Sequence, residues 1–265
     1  MLEIASYEAR KRIRGTLVLT VLLGLITAGY IAMYPSMAAE LGQEQLNRLL
    51  AAYPEAVQEA FNVRSLATLE GFLAIELYTA GWILLVGFYM AYRAAGMIAG
   101  DVERGRTDML LALPISRSRY VAEKFASLLV PITGINTGVA VIVIVAAELV
   151  GHPVNAVAVG MMHLLSVPYL LCCAAIGTML SVLVDRASVA QRASLGLMFG
   201  LYMVNTLVTG RDYAWVGRFT PMRYLDPNAI LLDHTYSLSS AGILLAVTGI
   251  LLFAAQTWFS YRDIN

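Results

Sequence analysis

The sequence is poor in charge, in lysine and in cysteine. Charged residues make up 14% of its 265 residues, against about 25% in an average soluble domain. The formal net charge is zero, so no overall basic or acidic field favours binding to nucleic acid. The two lysines are Lys11 and Lys124, and neither follows a glycine-rich run. The chain therefore lacks the loop with which P-loop proteins bind and hydrolyse ATP.

The two cysteines, Cys172 and Cys173, are adjacent in an apolar segment. Geometry disfavours a disulfide between neighbouring residues, so we expect no disulfide framework. We expect both to be small, buried residues that pack between helices.

Apolar residues are abundant and occur in long runs. They make up 59% of the chain, and the mean hydropathy of +0.70 argues strongly against a soluble protein. A helix needs about 20 residues to cross the hydrocarbon core of a bilayer. Six segments meet this requirement: 16–34, 71–92, 125–149, 157–184, 193–209 and 240–259. We therefore predict an all-α, polytopic membrane protein with six transmembrane helices in one domain over residues 1–265.

The distribution of Lys and Arg predicts the orientation, because cytoplasmic loops are the richer in both. An even number of spans puts both termini on one side. That side carries thirteen basic residues: Arg10, Lys11, Arg12, Arg14, Arg93, Arg104, Arg106, Arg117, Arg119, Lys124, Arg186, Arg192 and Arg262. The other side carries five: Arg48, Arg64, Arg211, Arg218 and Arg223. We therefore predict a multi-pass protein of the cell membrane with both termini in the cytoplasm.

Three segments outside the spans have patterns of their own. In residues 1–15 the apolar side chains share one helical face, which predicts an amphipathic elbow helix along the inner membrane surface. In residues 36–70 apolar residues recur at helical spacing, with Pro54 at the start of a second short helix, which predicts an external amphipathic hairpin. Residues 210–238 combine aromatic residues with prolines, a composition typical of an external interfacial or re-entrant segment. All three also fit plain packing at the membrane surface.

The densest charge lies in residues 100–124, "GDVERGRTDMLLALPISRSRYVAEK", between the second and third spans. Gly105 is expected to turn the chain, and Pro114 to end a short helix that carries leucines. Ser116 is expected to cap the helix that leads back to the membrane. A short helix with a leucine face and a charged rim fits a knob that docks in a partner's groove. It fits equally well a turn whose leucines pack on their own bundle.

This segment resembles the one that follows the second span of type 2 ABC transporter permeases. The family pattern is an acidic residue, Glu, Arg-Gly-Thr, a Leu-Leu pair, Pro-Ile/Val-Ser-Arg and a later Lys. The matching residues are Asp101, Glu103, Arg104, Gly105, Leu110, Leu111, Pro114, Ile115, Ser116, Arg117 and Lys124. Arg106 departs from the pattern, since it stands where the family usually has Thr. "YEARKRIRG", "YPEAVQEAF", "GFLAIE" and "FTPMRYLDPNAIL" extend the resemblance over most of the chain.

The resemblance implies the permease subunit of an ABC exporter. The chain would pair with a second permease copy, expected as a homodimer with a heterodimer left open, and with two ABC ATPase subunits. ATP and Mg²⁺ would bind to those subunits, so the chain needs no cofactor and is not an enzyme. A coupling helix within residues 100–124 would dock on the ATPase. Its expected contact residues are Leu110, Leu111, Leu113, Pro114 and Ile115, flanked by Glu103, Ser116, Arg117 and Arg119.

Polar groups at membrane depth are candidates for a translocation path, because an ionised side chain at a helix centre costs ~2.5 to 3.5 kcal/mol. We assign Glu76, Asn136 and Asn205 to this class. The alternative for Glu76 is contact with water at the headgroups or with an Arg of the external segments. Hydrogen bonding between helices is the alternative for the two asparagines.

Two further patterns in the spans favour packing over chemistry. His163 follows Met161 and Met162, which are residue types that suit copper. Neighbouring residues on a helix do not share a face, so we predict no metal site. Glycines recur at small-residue spacing in the third and fifth spans, which permits close helix contact, including contact with a second permease. They are Gly134, Gly138, Gly196 and Gly200.

Two alternatives to a solute exporter differ in class. An ATPase-driven assembly component would use the same scaffold to act on an external protein, as in metalloprotein maturation. An intramembrane enzyme is disfavoured, because the chain has no HExxH, no GxSxG and no carboxylate pair on adjacent spans.

Overall fold

A computed structural model describes residues 3–52, 66–106, 115–209 and 213–262, which are helical with short connections and form no strand. Eight helices are numbered here in chain order. They are α1 (Glu3–Ala52), α2 (Leu69–Glu103), α3 (Arg117–Ala126), α4 (Leu129–Leu149), α5 (Ala156–Leu183), α6 (Ala187–Val208), α7 (Pro227–Leu231) and α8 (Leu238–Tyr261). The prediction of an all-α membrane protein is confirmed.

Each of the six predicted spans falls on a long helix. Within the described ranges, five stretches are long and apolar enough to cross a membrane: Ile4–Glu40, Leu69–Glu103, Arg117–Leu149, Ala156–Leu183 and Leu238–Tyr261. The fifth predicted span, 193–209, lies on α6, which has 22 residues but is not one of these five stretches. The count of six therefore stays a prediction.

Helix α1 is longer than the first predicted span at both ends. Its backbone is helical from Glu3 up to Gly42, where φ is +66°. Residues 4–15 thus continue directly into the spanning helix, while their predicted placement along the membrane surface stays a prediction. No glycine of positive φ or proline interrupts the chain between residues 3 and 34 to cause a break. The first residues of the predicted external hairpin belong to the last part of α1. Pro54 lies outside the described residues.

Helix α2 contains an unusually wide middle section. Residues Ala74–Val86 form a π-helix between two α-helical parts, and Thr79 Oγ1 donates to the carbonyl of Ala74, five residues back, at 2.8 Å. A π-helix has about one residue more per turn than an α-helix and often occurs near functional sites. The section carries Glu76 and the buried Tyr78 and Trp82.

Helix α5 is the centre of the bundle and contacts α2, α4, α6 and α8. Its closest neighbour is the second half of α2. A Cβ atom on Gly177 would lie 2.1 Å from the carbonyl oxygen of Ala91, so only glycine fits there. One turn further along, Ser181 Oγ accepts hydrogen bonds from the backbone N–H groups of Ile98 and Ala99 at 3.0 and 2.9 Å.

The predicted third span begins with a break between α3 and α4. Pro131 is the third residue of α4, and a proline has no N–H group for the carbonyl four residues earlier. That carbonyl belongs to Ser127, which caps the end of α3. A proline in the first turn of a helix is tolerated, so the chain turns at residues 127–128 and continues to Leu149.

One end of the bundle is covered by residues 213–238, the described part of the predicted interfacial segment. Two 3-10 helices, Ala214–Phe219 and Pro221–Tyr224, precede α7. Met222, Leu225 and Ile230 are buried against the bundle, whereas Trp215 and Phe219 are exposed. Short helical turns thus close this end and present aromatic side chains outward.

The opposite end brings together the two termini and two connections, and we call it the charged end. It comprises residues 4–14, 97–106, 115–128, 182–192 and 259–262. Lys124 contacts Glu8, and Arg262 contacts both Asp185 and the carbonyl of Val182. The prediction that both termini lie on one side is therefore confirmed for the described residues, while its assignment to the cytoplasm stays a prediction.

Candidate functional site

A buried ion pair between Asp101 on α2 and Lys124 on α3 lies at the middle of the charged end. Nζ of Lys124 is 2.5 Å from Oδ2 of Asp101, and the two side chains are only 4% and 6% exposed. Tyr120, one turn before Lys124, donates its hydroxyl proton to the same oxygen at 2.7 Å. Charge-assisted hydrogen bonds of this kind are strong and fix geometry. The pair thus joins the two helices that flank residues 107–114.

Helix α1 is tied to the same pair through Glu8. Lys124 Nζ donates to Glu8 Oε1 at 2.8 Å, and Arg12, one turn later, lies 4.0 Å from the other carboxylate oxygen. Arg12 also donates to Ser127 Oγ at 3.0 Å, at the end of α3. Three helices therefore share one network of buried charges.

A second carboxylate, Glu123, holds the first turn of α1. Its Oε2 accepts hydrogen bonds from the backbone N–H groups of Ile4 and Ala5 at 3.0 and 3.2 Å, which are among the groups that a helix leaves unpaired at its start. Its Oε1 lies 2.7 Å from Nε of Arg119. The negative charge also suits the positive end of the helix dipole. The start of α1 is thereby fixed on α3.

The outer part of the charged end reaches α6 and α8. Glu103, the last residue of α2, accepts a hydrogen bond at 3.0 Å from the N–H of Ala187, the first residue of α6. The guanidinium of Arg117 donates to the carbonyl of Arg262, just after α8. Arg262 in turn lies 2.5 Å from Asp185, in the connection between α5 and α6.

The predicted coupling residues divide into two groups. Leu110, Leu111, Leu113 and Pro114 lie outside the described residues. The flanking residues are described and confirm local predictions. Gly105 turns the chain with φ at +63°, and the Oγ of Ser116 accepts from the N–H of Arg119 as an N-cap. Ile115 is half-buried, while Glu103, Arg117 and Arg119 bind other parts of the charged end.

A second polar cluster lies inside the bundle around His163 of α5, which is 4% exposed. Its Nε2 is 3.1 Å from the hydroxyl of Tyr78 on α2, and its Nδ1 is 3.2 Å from Oδ1 of Asn136 on α4. Trp82 stands edge-on to the imidazole, with ring centroids 4.7 Å apart. Ser166 donates to Asn136 at 2.6 Å.

The cluster fixes the proton positions on His163. The amide nitrogen of Asn136 donates to the carbonyl of Ile132 at 2.8 Å, so its oxygen is the acceptor that faces the ring. Nδ1 of His163 then carries the proton, and Nε2 accepts from Tyr78. Both ring nitrogens are thus engaged, which leaves neither open to a metal ion. The neutral histidine joins α2, α4 and α5.

The three residues predicted for a translocation path do not meet. Asn136 belongs to the histidine cluster, and Oδ1 of Asn205 accepts from the hydroxyl of Thr220 at 3.1 Å, near the opposite end. Both asparagines thus serve as hydrogen-bonding groups between elements, the alternative that the sequence left open. Glu76 is half-buried in the π-helical section, and its role in a path stays a prediction.

The two glycine pairs have different surroundings. Cβ atoms on Gly134 and Gly138 of α4 would lie 2.7 and 2.3 Å from the methyl groups of Thr16 and Thr20 on α1. Those glycines serve packing within the chain and are closed to a second permease. A Cβ atom on Gly196 or Gly200 of α6 would meet no atom of another element within 4 Å among the described residues.

Sequence reasoning missed the residues at the middle of the charged end: Glu8, Asp101, Tyr120 and Lys124. The sequence did contain a signal for a buried pair, because Asp101 and Lys124 lie next to apolar spans and Lys124 is one of two lysines. The prediction that Cys172 and Cys173 are buried packing residues is confirmed.

A bundle of long apolar helices whose charged connections meet at one end defines a polytopic α-helical membrane protein. Residues 2–264 match the family described as ABC-2 family transporter protein, and the chain belongs to that family. It is therefore a membrane permease subunit of an ABC transporter, a multi-pass class of subunit that works with ABC ATPases. A comparison with curated proteins finds no match.

Proposed function

We propose that the chain is the permease of an ABC exporter and that a separate ATPase drives it through residues 107–115. The observation that carries the proposal is the buried pair of Asp101 and Lys124. The pair joins α2 and α3, the two helices that flank this segment, at the charged end. Nucleotide and Mg²⁺ bind to the ATPase in this account, because the chain has no P-loop.

The ion network gives a physical route for force. A contact transmits work only if it differs between two states of the partner. A displacement of residues 107–115 pulls on α2 at Glu103 and on α3 at Ser116. Because Asp101 and Lys124 are bound to each other, the two helices move together. Glu8 and Glu123 carry the movement to α1.

Two further contacts extend the route to the rest of the bundle. Glu103 holds the start of α6, and Arg117 holds the end of α8. A push on the segment would therefore reach α1, α2, α3, α6 and the end of α8. We place this end in the cytoplasm of the cell, with both termini, because it carries the larger share of basic residues.

A cross-linking experiment tests where the ATPase binds. Ile115→Cys, in the segment's described flank, should form a cross-link to the co-expressed ABC ATPase with a short thiol-to-amine reagent in membranes. Leu238→Cys is the control, since Leu238 is 70% exposed at the other end of the bundle. Cross-linking from position 238, or none from position 115, contradicts the proposal.

A second copy of the chain is proposed to pack on α6. Gly196 and Gly200 are one helical turn apart and exposed, and an added Cβ atom at either would meet nothing within 4 Å in the part of the chain that the structure describes, so another helix can approach closely there. Helix α6 also differs from the other helices at predicted spans, because it is not among the five stretches that are apolar enough to cross a membrane. Its exposed face also carries Leu195 and Phe199 beside the glycines, and a second helix that packs there would cover this apolar surface.

Cysteine cross-linking tests this dimer contact. In a background with Cys172 and Cys173 changed to alanine, Gly196→Cys should give a species of twice the chain's mass with a short thiol-specific reagent. Leu25→Cys on α1, which is 68% exposed, is a control of similar depth and should stay monomeric. Equal dimer yield from both positions would mean random collision and would refute the contact.

A further inference from the structure

A small cleft with a volume of about 60 Å³ lies between α1, α2 and α4, beside the ion network. Three cationic side chains line it: Lys11 and Arg12 from α1, and Arg93 from α2. Tyr89 and Thr16 add hydroxyl groups, and no carboxylate is among the lining residues. The lining therefore suits an anion.

The three cations of the cleft share one nearby carboxylate, Glu8, which lies 4.0 Å from Arg12. Glu8 is the carboxylate beside Arg12, but it is bound to Lys124 at 2.8 Å. Arg93 and Lys11 have no carboxylate within 4.0 Å among the residues with described side chains. Arg93 also repels the charge on Arg12. An anion between them would relieve this repulsion.

The cleft lies where all three helices change from charged to apolar. On α1 the charged run ends at Arg14 and the apolar run begins at Leu17, on either side of the lining residues Gly15 and Thr16. On α2 Arg93 is the first charged residue after the apolar run that starts at Leu77. The third side of the cleft is formed at the start of α4, and apolar residues lead to it from Lys124. This change marks the headgroup level of a bilayer, where tyrosine is also common.

Exposed apolar side chains continue from the cleft along the bundle. Leu17 and Val18 follow Thr16 on α1 and are 59% and 68% exposed. Leu85 lies one turn before Tyr89, and Leu129 lies next to the lining residue Leu128; they are 66% and 44% exposed. Acyl chains that descend from the cleft would contact these side chains.

We propose that this cleft binds the phosphate of an anionic phospholipid in the leaflet at the charged end. The guanidinium of Arg93 pairs with phosphate oxygens, a geometry that arginine favours. Arg12 adds its charge and its Nη1 group, since its Nε and Nη2 groups already donate to Ser127 and Met97. Lys11 adds a third positive charge, and the acyl chains lie on the exposed leucines. Because Arg12 also binds Ser127 and Glu8, the lipid steadies the junction of α1 with the ion network.

The experiment measures lipid binding to the purified full-length chain in detergent by native mass spectrometry. Short-chain phosphatidylglycerol is titrated against the wild type, Arg93→Gln and the control Arg14→Gln. Arg14 is exposed on the same end but does not line the cleft. One basic residue near an anionic surface contributes about a five-fold change in affinity. Arg93→Gln should therefore bind about five-fold more weakly, while Arg14→Gln binds like the wild type.

Three other results would contradict the proposal. An equal loss for Arg14→Gln would show diffuse attraction and overturn the site. Equal binding of short-chain phosphatidylcholine would overturn the preference for an anionic lipid. Equal competition by free glycerol phosphate would show a soluble ligand instead of a lipid. If Arg93→Gln does not fold, Lys11→Gln takes its place with the same expected loss.

Discussion

Replacing Asp101 with asparagine should lower the free energy of unfolding by about 3–5 kcal/mol, the cost of leaving a buried charge without its partner. The change is nearly isosteric, so the loss arises from Lys124, whose side chain is 4% exposed. Glu8 can compensate only in part, since it lies at the edge of the network and is 18% exposed. Unfolding of the purified chain in mixed micelles measures the difference.

The matched control removes both charges of the pair. The double variant Asp101→Asn with Lys124→Met should recover most of the lost stability, because replacing a whole buried pair by neutral groups is often close to neutral. Its transport activity should nevertheless stay low, since the two helices are then joined only by weaker contacts. A single variant as stable as the wild type would show that the pair is not buried as described.

Much of the fold could be predicted from the sequence because the bilayer imposes strong rules on length and composition. The long apolar runs place α5 and α8 to within two residues of their observed ends. Local chemistry predicts the N-cap at Ser116 and the turn at Gly105, since each depends only on its own neighbours. Pattern alone could not predict that α1 continues through residue 15, because an amphipathic start is compatible with a bend or with a straight helix. The contact of Glu123 with Ile4 and Ala5 joins parts of the chain that are distant in sequence.

The site was harder to predict because its residues are distant in sequence and meet only in the folded bundle. Asp101, Lys124 and Glu8 are separated by up to 116 positions, so their pairing depends on how three helices pack. The histidine cluster shows the same limit. The sequence predicted no metal site at His163, but it could not identify the partners of this residue, Tyr78 and Asn136, because they come from other helices.

The double change Leu110→Glu with Leu111→Glu should abolish binding of the ATPase while leaving the bundle folded. Two carboxylates on the proposed anchor would have to be buried in the partner's groove, and an unpaired buried charge costs several kcal/mol. Each 1.4 kcal/mol corresponds to a ten-fold change in affinity, so complex formation should fall below detection. Leu110→Met with Leu111→Met preserves size and apolar character and should bind like the wild type.

Co-purification of the ABC ATPase with the tagged chain from membranes tests the central claim most directly. The account predicts that the ATPase is retained by the wild type and by the methionine variant and lost from the glutamate variant, with all three chains unchanged in melting temperature. Undiminished ATPase on the glutamate variant would contradict the claim that residues 107–115 receive the force.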